Sequence, residues 1–431
     1  MRIEKRKGIF MKLDIASYCN REISCSCGHT HFCPISEVVV EKGALAKLPG
    51  LVKEYSHILL VADENTYKTC GDQVSALLGD KLESTLIYHC EGLLVPDEKA
   101  VAELEAKLTA QTDFIIGIGS GVINDVCKYV VFQREMEYAI IATAPSMDGY
   151  ASSGAAMIMG GMKITYTTRP PKMIIADVDV VKNAPMDMIR AGYGDIIGKY
   201  SALNDWRLSH LINNEYFCQE IYDLVMDVTN EIRGQVEQII ARDDDAIEFL
   251  TNALVLIGVT LSLLGSTRPG SGSEHHLSHF FEIVGLIHDE PYFLHGTDVA
   301  YSTVVTAGMR EELCKIEVPE FITVSAEERK AEYARIYGSY AGEVQAIQDN
   351  AGSYERNLNP VYAQKWQEMK AIMSECPTAA EITKMFVDAG YDMDEFERMY
   401  GAEKIRDAMF YGKDLKDRYS VLWPYYALIR K

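Results

Sequence analysis

Between about Ser36 and Asp177, short unbroken apolar runs alternate with stretches whose apolar residues recur every three or four positions. The runs are EVVV, HILLVAD, STLIYH, DFIIGIG, YAIIATA and KMIIAD. This rhythm predicts a parallel sheet wrapped by helices, because strands buried on both faces read as continuous apolar segments. Ligands in such folds gather beyond the C-terminal ends of the strands. After Pro185 the pattern changes. MDMIRAGYGDIIGKYSALNDWRLSHLI and AIEFLTNALVLIGVTLSLL carry apolar residues at helical spacing, and the chain from Tyr301 to Lys431 continues so with charged faces. The predicted fold is therefore an α/β N-terminal domain with a parallel sheet over residues 1–182, followed by an all-α C-terminal domain over 183–431, with the boundary near Lys182.

Length agrees with two domains, since 431 residues exceed the roughly 250–300 at which single cores stop growing. A hydrophobic share of 48% and a charged share of 24% are those of an ordinary folded protein. The net charge of -21 speaks against nucleic acid as a partner, which clustered Lys and Arg would have to hold. An anionic substrate needs a local basic pocket instead. The first twenty residues lack the apolar core of a signal peptide, and no segment reaches the ~18 unbroken apolar residues of a membrane span. The expectation is a cytoplasmic enzyme, a homo-oligomer with a dimer favoured. Its ten scattered cysteines are expected to be reduced.

The segment from Asp113 to Asp125 passes from a predicted strand through Gly117, Gly119, Ser120 and Gly121 into a predicted helix. Glycines at such a turn let backbone N–H groups approach a pyrophosphate at the positive helix end. The G-x-G-S-G spacing departs from the familiar G-x-G-x-x-G, and a plain tight turn is the competing reading. Asp63, at the tip of HILLVAD, is a candidate for the adenosine ribose, or else a helix cap. In the first role its charge disfavours a 2′-phosphate and so favours NAD over NADP.

Five of the ten histidines fall between His275 and His295. His275 and His279 are four apart and share one helix face, and His295 follows in Leu-His-Gly. Far upstream stands Asp195 in Gly-Tyr-Gly-Asp, expected at a helix N-terminus. One carboxylate with two imidazoles leaves open positions on Zn, Ni or Fe(II), which a Lewis acid requires. His276 sits about 100° round the helix from His275 and is left out.

GSGVIND, TAPSMDG, GYGD, SGSEHHLSH and LHG, in this order, resemble the iron-containing alcohol dehydrogenase superfamily, and within it the bacterial branch of the sn-glycerol-1-phosphate dehydrogenases. The likeness runs from about Cys25 to Val305. It implies an N-terminal dinucleotide-binding domain, a helical metal- and substrate-binding domain, one divalent metal (Ni, Zn or Fe) and NAD or NADP. By position it assigns the metal to Asp195, His275 and His295, and the substrate to His279 and Asp148 with Asp195 nearby. The dinucleotide falls to Asp63, to Gly119, Ser120, Gly121, Val122, Ile123, Asn124 and Asp125, to Thr143, Ala144, Pro145 and Ser146, and to Ser152. The implied reaction interconverts dihydroxyacetone phosphate and glycerol 1-phosphate. The metal polarises the carbonyl, His279 or a water handles the proton, and Asp148 orients a substrate hydroxyl. Lys199, four residues after Asp195, is a candidate for the substrate phosphate or a partner of Asp195 on one helix face. Lys163, Arg169 and Lys172 are further candidates. A metal-dependent dehydrogenase of an unphosphorylated polyol such as glycerol is the alternative, on the same fold with a different pocket.

An early CSCGHTHFC segment, with Cys25, Cys27, His29, His31 and Cys33, looks like an N-terminal signature of the bacterial branch. It reads first as a structural turn, because C-x-C is not the usual knuckle spacing; a second metal site is the other reading.

Overall fold

The six apolar runs become six strands of one sheet, and their burial explains their composition. In this computed structural model, which describes residues 13–90, 92, 94–160 and 162–431, the ten strands are β1 (Glu22–Ser24), β2 (Thr30–Phe32), β3 (Glu37–Glu41), β4 (Ile58–Asp63), β5 (Leu82–Tyr88), β6 (Phe114–Gly119), β7 (Tyr138–Ala142), β8 (Gly154–Met159), β9 (Met162–Thr167) and β10 (Met173–Asp177). Residues 1–12, where no signal peptide is expected, lie outside the described residues. The sheet order is β3-β10-β7-β6-β4-β5, and every neighbouring pair is parallel. The four inner strands are buried along almost their whole length, with helices to cover both faces. The two edge strands β3 and β5 are only partly covered, and Glu and Ser appear there.

The chain leaves β4 towards β5 on one side, and returns to β6, β7 and β10 on the other. The order therefore reverses between β4 and β6, so their C-terminal ends, Asp63 and Gly119, flank the crevice where such sheets take ligands.

By internal contacts the chain divides into two units, Met1–Ile196 with Gly234–Thr267, and Ile197–Arg233 with Arg268–Lys431. The first holds the sheet, and also the long apolar helix Asp244–Leu264. That helix is long and apolar enough to cross a membrane by length and composition, with a mean hydropathy of 2.0, but 78% of the window is buried inside the protein. Its apolar residues serve as core. Ser262 donates its hydroxyl to the Ala151 carbonyl at 2.8 Å.

The second unit is helical throughout; among the described residues no strand follows Asp177. Two of its helices open with reciprocal capping boxes, Ser325 with Glu328 and Thr378 with Glu381. Its centre holds a buried ion pair, Arg310 to Asp205 at 2.8 Å. Asp205 also accepts the Ser273 N–H at 2.6 Å and the Val421 N–H at 2.9 Å, and Arg310 donates to Asn204 at 2.9 Å. The charges are thus fully bonded, as buried charges must be.

Candidate active site

In the first unit the candidate site is made chiefly of backbone held at close quarters. A Cβ on Gly119 would lie 2.7 Å from Ile123 Cβ, and one on Gly117 would lie 3.1 Å from Ile123 Cγ2. These two glycines let the helix Gly121–Gln133 press onto β6. Gly121 is different, since its nearest neighbour would be Met147 Cε at 3.6 Å, an ordinary contact. Ser120 precedes the helix without a side-chain cap, so the first-turn N–H groups are left to a ligand or water.

Several residues that the resemblance assigns to the dinucleotide turn inward. Asn124 is fully buried, donating to the Gly149 carbonyl at 3.2 Å and accepting from the Tyr138 hydroxyl at 3.0 Å. Asp125 accepts from Lys128 at 3.3 Å and from the Ala156 N–H at 3.2 Å, and burial pushes its carboxyl up. The Ser152 hydroxyl bonds to the Gly149 carbonyl at 3.1 Å. At the hub is Lys128, a residue that pattern reading passed over. It is wholly buried, reaches Gly154 O at 2.7 Å and Gly149 O at 3.2 Å, and is pulled below the usual lysine range by burial. A single Lys in the apolar stretch VCKYVV, three residues after Asp125, is the signal that could have found it.

The strand after the phosphate turn supplies Thr143, whose N–H reaches Gly119 O at 3.1 Å, and Ala144, whose carbonyl accepts from Tyr150 at 2.7 Å. Ser146 and Asp148 follow, both buried. Two helices grip this loop through glycine. A Cβ on Gly192 would sit 1.8 Å from the Pro145 carbonyl oxygen, and one on Gly258 would sit 2.6 Å from that of Asp148. Asp195 is fully buried and its Oδ2 accepts the Asp148 N–H at 2.9 Å. It lies in the last turn of the helix Met186–Ile197, not at an N-terminus as its Gly-Tyr-Gly context suggested. The glycines there do not interrupt the helix, and Gly192 lets it approach the Pro145 carbonyl.

Asp63 caps the helix Glu64–Leu78, with Oδ1 accepting from Asn65 N at 2.8 Å and Thr66 N at 2.9 Å. Both cap bonds fall on one oxygen, so the cap and the ribose reading are compatible.

In the second unit the candidate site is made of side chains. His275 and His279 stand one turn apart on the helix Ser273–His288, and His295 opens the helix His295–Cys314. Their ring centroids are 5.1 Å apart for His275 and His295, 5.5 Å for His279 and His295, and 6.1 Å for His275 and His279. A ring nitrogen of His275 lies within 4.8 Å of one of His295. His275 Nδ1 is 2.7 Å from Glu274 Oε1, which also accepts the Gly272 N–H at 2.7 Å. Against an ionised carboxylate Nδ1 must carry the hydrogen, which leaves the Nε2 lone pair for a metal. Burial pushes the Glu274 carboxyl up, and the Gly272 N–H opposes this. Glu274 and the helix-opening Asp205 were not singled out by the sequence; Glu274 was hidden inside the histidine motif, and nothing local marks Asp205. His276 is completely buried, and burial holds it neutral.

Lys199 does not continue the helix of Asp195. Gly198 intervenes, and Lys199 opens the helix Lys199–Asn213, where its buried ammonium donates to Gly270 O at 2.9 Å. The expected side-by-side placement on one helix is therefore replaced by a contact to the loop before the histidine helix. Lys172 bonds to Glu137 at 2.7 Å and Tyr55 at 2.8 Å, and Arg169 lies over the Phe132 ring at 5.6 Å.

A parallel sheet with a glycine turn at its reversal point, joined in one chain to helices bearing clustered imidazoles, defines the class of metal-using dinucleotide enzymes. Accordingly, a family profile described as iron-containing alcohol dehydrogenase matches residues 39–185. The chain is 33% identical over 304 residues to the glycerol-1-phosphate dehydrogenase [NAD(P)+] of Halalkalibacterium halodurans, covering 69% of this chain and 76% of that protein. It is 30% identical over 308 residues to the enzyme of the same name from Bacillus licheniformis, covering 70% and 77%. The chain belongs to the glycerol-1-phosphate dehydrogenase family of iron-containing alcohol dehydrogenases. Among solved structures, a probable glycerol dehydrogenase from Sinorhizobium meliloti superposes with a TM-score of 0.53 at 18% identity, over 84% of this chain and 98% of that one, which is a likeness of fold.

Proposed function

We propose that this protein is an NAD(P)-dependent oxidoreductase that reduces dihydroxyacetone phosphate to sn-glycerol 1-phosphate with the help of one divalent metal. Membership of the family supports the reaction. The observation that carries the site is the imidazole cluster, in which His275 has its Nδ1 occupied by Glu274 and so presents Nε2. Asp195, His275 and His295, to which the resemblance assigns the metal, would supply a carboxylate oxygen and two ring nitrogens, a donor set suited to Ni, Zn or Fe(II). A divalent ion held by such a set would polarise a carbonyl oxygen, and the dinucleotide would supply the hydride.

The chain's own residues do the rest. The Gly119–Gly121 turn and the uncapped first turn of the following helix receive the pyrophosphate. Asp63 keeps one carboxylate oxygen for the ribose, which favours NAD. His279, one turn from His275, is the proton donor, because an imidazole titrates close to neutrality. Asp148, held in place by the bond from its N–H to Asp195, orients a substrate hydroxyl. Lys199 is assigned to the substrate phosphate.

Kinetics with the metal-loaded enzyme and NADH test this reading. Dihydroxyacetone phosphate is expected to exceed dihydroxyacetone in kcat/KM by at least about 100-fold, roughly the worth of one or two charge-assisted hydrogen bonds. The product is expected to be the sn-1 enantiomer. Equal kcat/KM for the two ketones points instead to a dehydrogenase of unphosphorylated polyols.

A further inference from the structure

The CSCGHTHFC segment is not used by the reaction, yet it brings metal-ligating atoms together. Strands β1 and β2 form an antiparallel hairpin in which Ile23 pairs with His31. The connecting loop is tight. Gly28 N–H bonds to Cys25 O at 3.1 Å, Gly28 takes φ of +86°, and Cys25 N–H bonds to His29 O at 3.2 Å. Cys25 extends β1 by one residue beyond Ser24, on the same face as Ile23 and hence as His31. Cys27 is turned back by the loop. The result is that Cys25 Sγ, Cys27 Sγ and a ring nitrogen of His31 all lie within 4.8 Å of one another.

We propose that Cys25, Cys27 and His31 hold a zinc ion.

Two observations support this. His31 is buried, and its Nδ1 is 3.0 Å from the carbonyl oxygen of Leu263, so Nδ1 carries the hydrogen and Nε2 keeps its lone pair. That Nε2 is 3.4 Å from Cys27 Sγ. Two ligands of a tetrahedral zinc with bonds of about 2.3 Å to sulfur and about 2.05 Å to nitrogen stand about 3.6 Å apart, so this spacing is already that of one tetrahedral edge. Two thiolates and one imidazole are a donor set that suits zinc. The other two candidates of the segment drop out. His29 is exposed, and Cys33 hydrogen-bonds with the buried thiol of Cys19.

The test is metal counting on the full chain purified without chelator. The wild type is expected to bind about two equivalents, and Cys25→Ser with Cys27→Ser to bind about one, while His275→Ala loses the other equivalent. On unaltered protein loaded with Co(II), a sulfur-to-cobalt charge-transfer band is expected, together with protection of Cys25 and Cys27 from alkylation that a chelator abolishes. This reading survives even if the serine variants fail to fold. An unchanged metal count in the variants, no such band, or a Cys25–Cys27 disulfide found by mass spectrometry would each overturn the proposal.

Discussion

The two units carry their candidate binding groups by opposite means. In the first, the decisive positions are glycines, where Gly119, Gly192 and Gly258 each leave no room for a Cβ, and Gly117 leaves little, and so fix where the backbone runs. In the second, the decisive positions are charged or ionisable side chains, with Glu274 orienting His275 and the Asp205–Arg310 pair anchoring the helix that carries it. A dinucleotide is bound over a long extended surface, for which shape and N–H direction matter most. A metal is bound at one point, for which donor type and tautomer matter most.

Removing charge from the second unit is expected to have the largest effect. Asp205→Ala strands the Arg310 guanidinium and uncaps the histidine helix, at a cost of about 3–5 kcal/mol in unfolding free energy measured with denaturant. A loss below about 1 kcal/mol would show that the pair is not the anchor.

Adding one methyl group to the first unit comes next. Gly192→Ala drives a Cβ into the Pro145 carbonyl, and the expected loss is about 1–3 kcal/mol with a raised KM for the dinucleotide. Unaltered Tm and KM would break the comparison, since shape would then not be the first unit's contribution.

Glu274→Gln is expected to weaken metal affinity by about 10–100-fold in competition with a chelator, with the fold retained, because the amide no longer fixes the His275 tautomer. Equal affinity in the variant would leave the donor set standing and remove its orienter.

A pH-dependent effect concerns Lys413, which lies 3.7 Å over the Tyr426 ring and 2.8 Å from Asp414. Burial pulls its ammonium from 10.5 down to about 8, although Asp414 opposes this. Between those two pH values the unfolded chain binds more protons than the folded one, so unfolding free energy rises with pH across that window. Lys413→Met is expected to flatten that rise in a pH series of denaturation curves; identical slopes would contradict the assignment.

Much of this was legible in the chain. All six parallel strands were marked by apolar runs, and the four inner ones, covered on both faces, leave no polar alternation to confuse them with a surface element. The clustering of imidazoles was equally plain, since a shared helix face follows from spacing alone. Other features were not legible because they depend on distant partners. Asp195 was expected to begin a helix and instead lies near the end of one, where Gly192 serves packing against Pro145. Lys199 was expected beside Asp195 on a continuous helix, and Gly198 separates them.

What the sequence alone determined is therefore local and periodic: the strands, the helices, the glycine turn and the identities of the donor atoms. Only the tertiary structure decided which donors are oriented, by putting Glu274 against His275 and the Leu263 carbonyl against His31, and which polar residues are buried hubs, as Lys128 and Asp205 are. The physical reason is that hydrogen-bond direction and burial are properties of pairs far apart along the chain, whereas periodicity is a property of neighbours.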